Sequence, residues 1–285
     1  MYKKLSVFLI SAVILLSISF TNTVSSQSAG ATKFKQSVVN VDLLFCYSQP
    51  MPNLFSNMTD FFNFQGYGVK YGFGSQINVK IAANKKGTIK PYISLGYNMF
   101  MGSDNNNTYI DSNIIGSIYP MINGTTYSGN PIPGTSKMIL HDFSAAGGFE
   151  YDFVNKTRWT PYLGAELNMN VLFGTYRQSP DHVIVGGGQI AGPGQTSFTI
   201  NSAVRFGFGT EAGIYMRVHQ AIAFTFCTKF KFDNLLGKSS VRTTELNKMG
   251  LLDKSATDLN PLMTKSRNID YFEFLLGVSF NIGKK

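Results

Sequence analysis

The stretch 197–233 limits what this chain can fold into more than any other. Taken at every second position it reads Phe198, Ile200, Ser202, Val204, Phe206, Phe208, Thr210, Ala212, Ile214, Met216, Val218. The positions between include Arg205, Gly207, Gly209, Glu211, Gly213 and Arg217. After His219-Gln220 the alternation resumes, with Ile222, Phe224, Phe226, Phe230 and Phe232 against Ala223, Thr225, Cys227, Lys229, Lys231 and Asp233. Successive side chains of a strand point to opposite faces, so the pattern predicts a long hairpin with one apolar and one charged, glycine-rich face. Its first arm runs roughly 20 residues, against about 5–6 for an ordinary soluble strand. Such a face is buried under a second sheet or lies in lipid. The rest of the chain decides between them.

The same alternation predicts eight strands, at 37–47, 66–83, 90–101, 136–154, 159–176, 197–218, 222–233 and 267–282. The connections at 84–88, 155–158 and 219–220 are short. Those at 48–65, 103–135, 177–196 and 235–266 are long, and the last is expected to hold a short helix near 244–253. Long and short connections therefore alternate strictly. A soluble sandwich has no reason to sort its loops by parity, whereas a transmembrane barrel carries short turns at one end and long loops at the other. Strands of this length cross a bilayer, which takes about 9–11 tilted residues. In lipid every backbone group is paired within the protein, so the sheet has to close. The expected fold is all-β: a closed eight-stranded antiparallel up-and-down transmembrane barrel.

Composition agrees. Charged residues make up 14% and aromatics 14%, with 28 Gly, which suits an outer surface that need not be wet. The net charge of +9 comes without a Lys/Arg cluster or aromatic-basic motif, so no nucleic-acid partner is expected. Two of those positive charges, Lys3 and Lys4, open a basic, then apolar, then small-residue segment that reads as a cleaved Sec-type signal peptide over 1–26. A short segment 27–36 follows, and 37–285 is assigned to the barrel. Cys46 and Cys227 fall on the inward parity of strands separated by one other strand. They are expected as two packed thiols rather than a disulfide.

With this pattern the chain resembles the small eight-stranded outer-membrane barrels of OmpA/OmpX type. The resemblance covers 37 to the C-terminus and rests on strand pattern and loop parity. It implies a bacterial outer-membrane location, contact with outer-membrane lipid, and recognition of the last strand by the assembly machinery. That strand departs from the commonest form, because Asn281-Ile282-Gly283-Lys284-Lys285 follows Phe280. No peptidoglycan-binding domain is expected.

The inward parity collects Asp42, Lys70, Lys80, Asp142, Glu150, Asp152, Glu166, Arg205, Glu211, Arg217, Lys229, Lys231, Asp233 and Glu273. Eight strands enclose a bore just wide enough for side chains to fill it. An ion-pair network is therefore expected there, with a narrow solute path as the alternative. Tyr151, Phe153 and Trp159 are expected in an interfacial girdle beside a short turn. Phe61, Phe62, Tyr109, Tyr119 and Tyr127 are the contact candidates of the outer loops, for an extracellular ligand. His141 and Asp142 point to opposite faces, and His219 sits in a turn. His182, beside Asp181, is the one candidate for a rim hydrolase. No enzyme, cofactor or metal is expected. The expected role is structural or adhesion-like surface contact, with a narrow porin as the alternative.

Overall fold

The computed structural model describes residues 34, 37–55, 66–104, 134–153, 157–180, 182–185, 188–191, 196–238, 248–251, 253 and 266–283. The predicted leader and the contact candidates Phe61, Phe62, Tyr109, Tyr119 and Tyr127 lie outside them.

Among the described residues, eight long strands form the barrel: β1 (Val39–Pro50), β2 (Tyr71–Ile81), β3 (Ile89–Asp104), β4 (Gly134–Asp152), β5 (Trp159–Pro180), β6 (Thr196–His219), β7 (Ile222–Leu236) and β8 (Asp270–Ile282). Each pairs antiparallel with its neighbours in sequence, and β1 pairs with β8 from Val39↔Ile282 to Pro50↔Tyr271. The sheet closes on itself and leaves no edge between first and last strand. It is an up-and-down barrel.

The short turns follow from local chemistry. Between β2 and β3, Asn84 Oδ1 accepts from the Thr88 amide at 2.9 Å, and Asn84 Nδ2 donates to Thr88 Oγ1 at 2.8 Å. Gly87 takes φ 62°, a left-handed conformation that favours glycine. Between β6 and β7, His219 pairs with Ile222, so Gln220 and Ala221 make a two-residue turn.

The long connections are less plain than the sequence suggests. β1 continues through Ser48 to Pro50, and a single helical turn, α1 (Pro52–Phe55), follows. β5 continues to Pro180, and His182–Val185 pairs with Gly188–Ala191 in a small separate hairpin where a loop was expected. In the last connection Lys248–Met249 is extended and runs parallel to Thr199–Ile200. That replaces the helix expected at 244–253, at least across these two residues.

The alternation of faces holds through most of the barrel but is interrupted by register shifts: two lie between β6 and β7, at Phe206/Phe208 and Arg217/His219, and one lies between β5 and β6. Leu172 of β5 pairs with Ala203 and Gly174 with Ile200, so Phe173 alone opposes both Asn201 and Ser202. This bulge shifts the parity of β6 by one residue. Phe198 and Ile200, expected to face outward with Val204 and Phe206, are buried inside the bore. Val69, also expected outward, precedes β2 and is likewise buried.

Candidate functional site

The bore is the place where chemistry-bearing side chains converge, and they do so in layers. Nearest the short turns, Lys80 Nζ lies 2.8 Å from Asp42 Oδ2 and is ion-paired with Glu150. Lys90 Nζ extends the chain, 3.3 Å from Glu150 Oε1 and 2.7 Å from Asp152 Oδ2. Tyr215 OH donates to Glu150 at 2.8 Å and Ser279 Oγ to Asp42 at 2.5 Å, while Tyr162 stacks on Tyr215. One level further, Lys229 Nζ sits 2.9 Å from Glu166 and 3.2 Å from Glu211, and Tyr92 OH donates to Glu166 at 3.0 Å.

Above that, Lys231 Nζ lies 3.5 Å from Asp233 Oδ1 and 4.0 Å from Asp142 Oδ2. Tyr271 OH bonds to both carboxylates, and Asn98 Nδ2 donates to Glu273 at 2.5 Å. Lys80, Lys90 and Lys229 reach carboxylates on other strands, whereas Lys231 also meets Asp233 of its own strand. Asp42, Lys80 and Glu150, for instance, come from β1, β2 and β4. Buried charges persist only when paired in this way.

The mouth at the long-connection end is built differently. Arg205 grips Asp253 of the last connection with Nε at 2.6 Å and a second nitrogen, Nη2, at 3.1 Å. Asn234 Nδ2 donates to Asp253 at 3.2 Å and to the Arg267 carbonyl at 3.0 Å. Arg267 donates to the Gly66 carbonyl at 3.1 Å and stacks over the Tyr67 ring. Burial pulls the Arg267 guanidinium down to about 10, which leaves it charged at neutral pH. Leu54, Phe100, Leu140, Leu172, Phe198, Ile200 and Leu251 are also buried.

Most of the inward residues named from the sequence are thus brought together, with exceptions that have reasons. Lys70 lies just before β2, half-buried, with its ammonium 4.8 Å over the Phe55 ring rather than in the bore clusters. Arg217 is buried at the short-turn end against the Phe34 ring. Arg205 pairs with a loop carboxylate instead of a strand one. Lys90, Asp253 and Arg267 were not expected as members. Lys90 carries a readable signal, since it lies two residues before Tyr92 on the same parity. Asp253 has none, because its place depends on the path of a long connection. Cys46 and Cys227 are buried free thiols, both opposite Leu275 of β8.

Outside, the barrel is apolar. Leu167 is 74% exposed, Ile93 67%, Leu95 66% and Phe149 66%. Tyr151, Phe153 and Trp159 stand on this outer face at the short-turn end. A monomeric soluble protein rarely exposes an apolar patch beyond a few hundred Å², whereas here it encircles a closed sheet. The fold is that of the small eight-stranded outer-membrane barrels.

No family model matches the chain, and no curated protein matches it. Among solved structures it is similar to Neisserial surface protein A, at 14% identity over 86% of this chain and 98% of that one, TM-score 0.40. It is also similar to a major outer membrane protein from Thermus thermophilus, at 12% identity over 85% and 98%, TM-score 0.43. A third is the outer membrane protein OprG from Pseudomonas aeruginosa, at 8% identity over 88% and 98%, TM-score 0.39.

Proposed function

We propose that the chain is an exported bacterial outer-membrane protein whose barrel is a closed support for its outer connections. Those connections make contact with an extracellular ligand or surface, and Phe61, Phe62, Tyr109, Tyr119 and Tyr127 are the side chains assigned to it. The observation that carries this reading is the layered ion pairing of the bore, from Lys80 with Asp42 to Lys231 with Asp233, topped by the Arg205–Asp253 knot. A bore packed this way supports a rigid stand rather than a conduit. β8, which completes the sheet against β1, is the segment assigned to recognition by the assembly machinery.

A narrow channel for small solutes is the second reading, favoured by the polar lining that runs from Asn40 to Arg205. Conductance of the purified protein in a planar bilayer separates the two. The support reading expects no unitary steps above the lipid baseline, and steady steps that scale with salt would refute it. Binding to host cells or matrix, lost on shortening 103–135 with the barrel intact, is the positive test of the contact role. The proposed role is non-enzymatic, so a hydrolytic activity of the purified barrel that disappears with His182→Ala would count against it.

A further inference from the structure

Across the eight strands, the outward positions among the described residues hold two cations, Lys137 and Arg177. They are direct register partners on β4 and β5, and both are exposed. The single outward strand anion, Asp270, begins β8 on the opposite wall. Like charges directly across a strand pair repel, so this placement is unfavourable unless an anion lies between them. The rung continues on both sides. Ser103 of β3 pairs with Lys137, and Ser197 of β6 with Arg177, and both serines are exposed.

Two cations flanked by two hydroxyls therefore lie side by side on four adjacent strands, over roughly 15 Å. Below this rung comes Met101–Ile139–Thr175–Thr199, and below that Met99–His141–Phe173. His141 stacks on Phe173 at 4.9 Å and accepts or donates a hydrogen bond with Tyr97 OH at 2.8 Å. The aromatic residues mark the level where hydrocarbon gives way to head groups. The cations stand two rungs beyond it.

We propose that Ser103, Lys137, Arg177 and Ser197 form a docking rung for the phosphate head group of a lipid in the leaflet on the long-loop side. Arg177 offers a planar fork and Lys137 a point charge, a combination suited to a phosphate with several free oxygens. The acyl chains then lie along Ile139, Phe173, Phe143 and the apolar wall beneath. The inference rests on the barrel standing in a membrane, not on whether its bore conducts or its loops bind a partner.

The test uses the full chain in nanodiscs of phosphatidylcholine doped with diphosphoryl lipid A or with phosphatidylglycerol, and native mass spectrometry to count retained lipid. The added anionic lipid is expected to be retained over phosphatidylcholine by the parent and by the Lys137→Arg/Arg177→Lys exchange. Lys137→Ser/Arg177→Ser is expected to bind it about 25-fold more weakly, roughly fivefold per cation, with heat-modifiable migration unchanged. Equal retention by the double serine variant overturns the proposal. So does displacement by millimolar inorganic phosphate, which would mark a free-anion site. Loss of heat-modifiable migration in that variant also overturns it, because the cations would then be serving the fold.

Discussion

Replacing Lys80 by Met removes the central cation of the layer nearest the short turns and keeps most of the side chain's volume. Lys80 is fully buried, ion-paired with Asp42 and Glu150, and donates to Tyr215 OH at 2.7 Å. After the change Glu150 keeps Lys90 at 3.3 Å and Tyr215 at 2.8 Å. Asp42 keeps Ser279 and a long contact to Tyr215 but has lost its ion partner. Breaking a buried pair from one side costs about 3–5 kcal/mol, because the remaining charge stays desolvated. Urea unfolding of the refolded protein in lipid vesicles, read by heat-modifiable migration, is expected to show a midpoint lower by on the order of 2 M. Adding Asp42→Asn removes the stranded charge and should restore at least half the loss, about 1.5–2.5 kcal/mol. A single variant within about 0.3 M of the parent, or a double variant no better than the single, would refute the buried-network account.

At the mouth, Asp253→Asn keeps the shape but removes the charge that Arg205 and Asn234 hold. Limited proteolysis is expected to cut the last connection at least several-fold faster, with the barrel core still resistant, and unchanged cleavage would exclude the latch. Deleting Ser202 removes the extra residue opposite Phe173 and turns Phe198 and Ile200 back toward the outside. Refolding yield should fall sharply, and a stable, fully folded deletion would mean that the mouth does not need these two side chains. Cys46 and Cys227 should both react with a maleimide on denaturation without reductant, giving two adducts by intact mass, whereas zero adducts would reveal a bridge.

What was legible in the sequence was what period two controls. The faces of β1 to β5, β7 and β8, and the alternation of long and short connections, follow from side-chain parity, and so do the groups that meet in the bore. Asp42, Lys80 and Glu150 needed no contact information beyond the knowledge that all point inward from one end. Parity cannot see a bulge, because Phe198 and Ile200 continue the apolar rhythm of Val204 and Phe206 without a break. Nor does it see past the strand ends. Lys70 has inward parity but lies before the paired part of β2. Asp253 is brought into the bore by a connection whose course no local rule sets.

The bulge and the latch solve one problem. β7 follows β6 only as far as Leu236 against Phe206, while β6 runs on to Thr196. The outer part of β6 would otherwise present an unpaired edge at the rim. Lys248–Met249 takes that edge by pairing with Thr199–Ile200, and this places Leu251 and Asp253 over the bore, where Asp253 meets Arg205. For that segment to seat, the rim beneath it needs apolar side chains turned inward, and the bulge supplies Phe198 and Ile200. Lys248 and Met249 of the last connection thus join the barrel's own pairing scheme. On the proposed support role this strand pair and the bidentate Arg205–Asp253 ion pair stay intact.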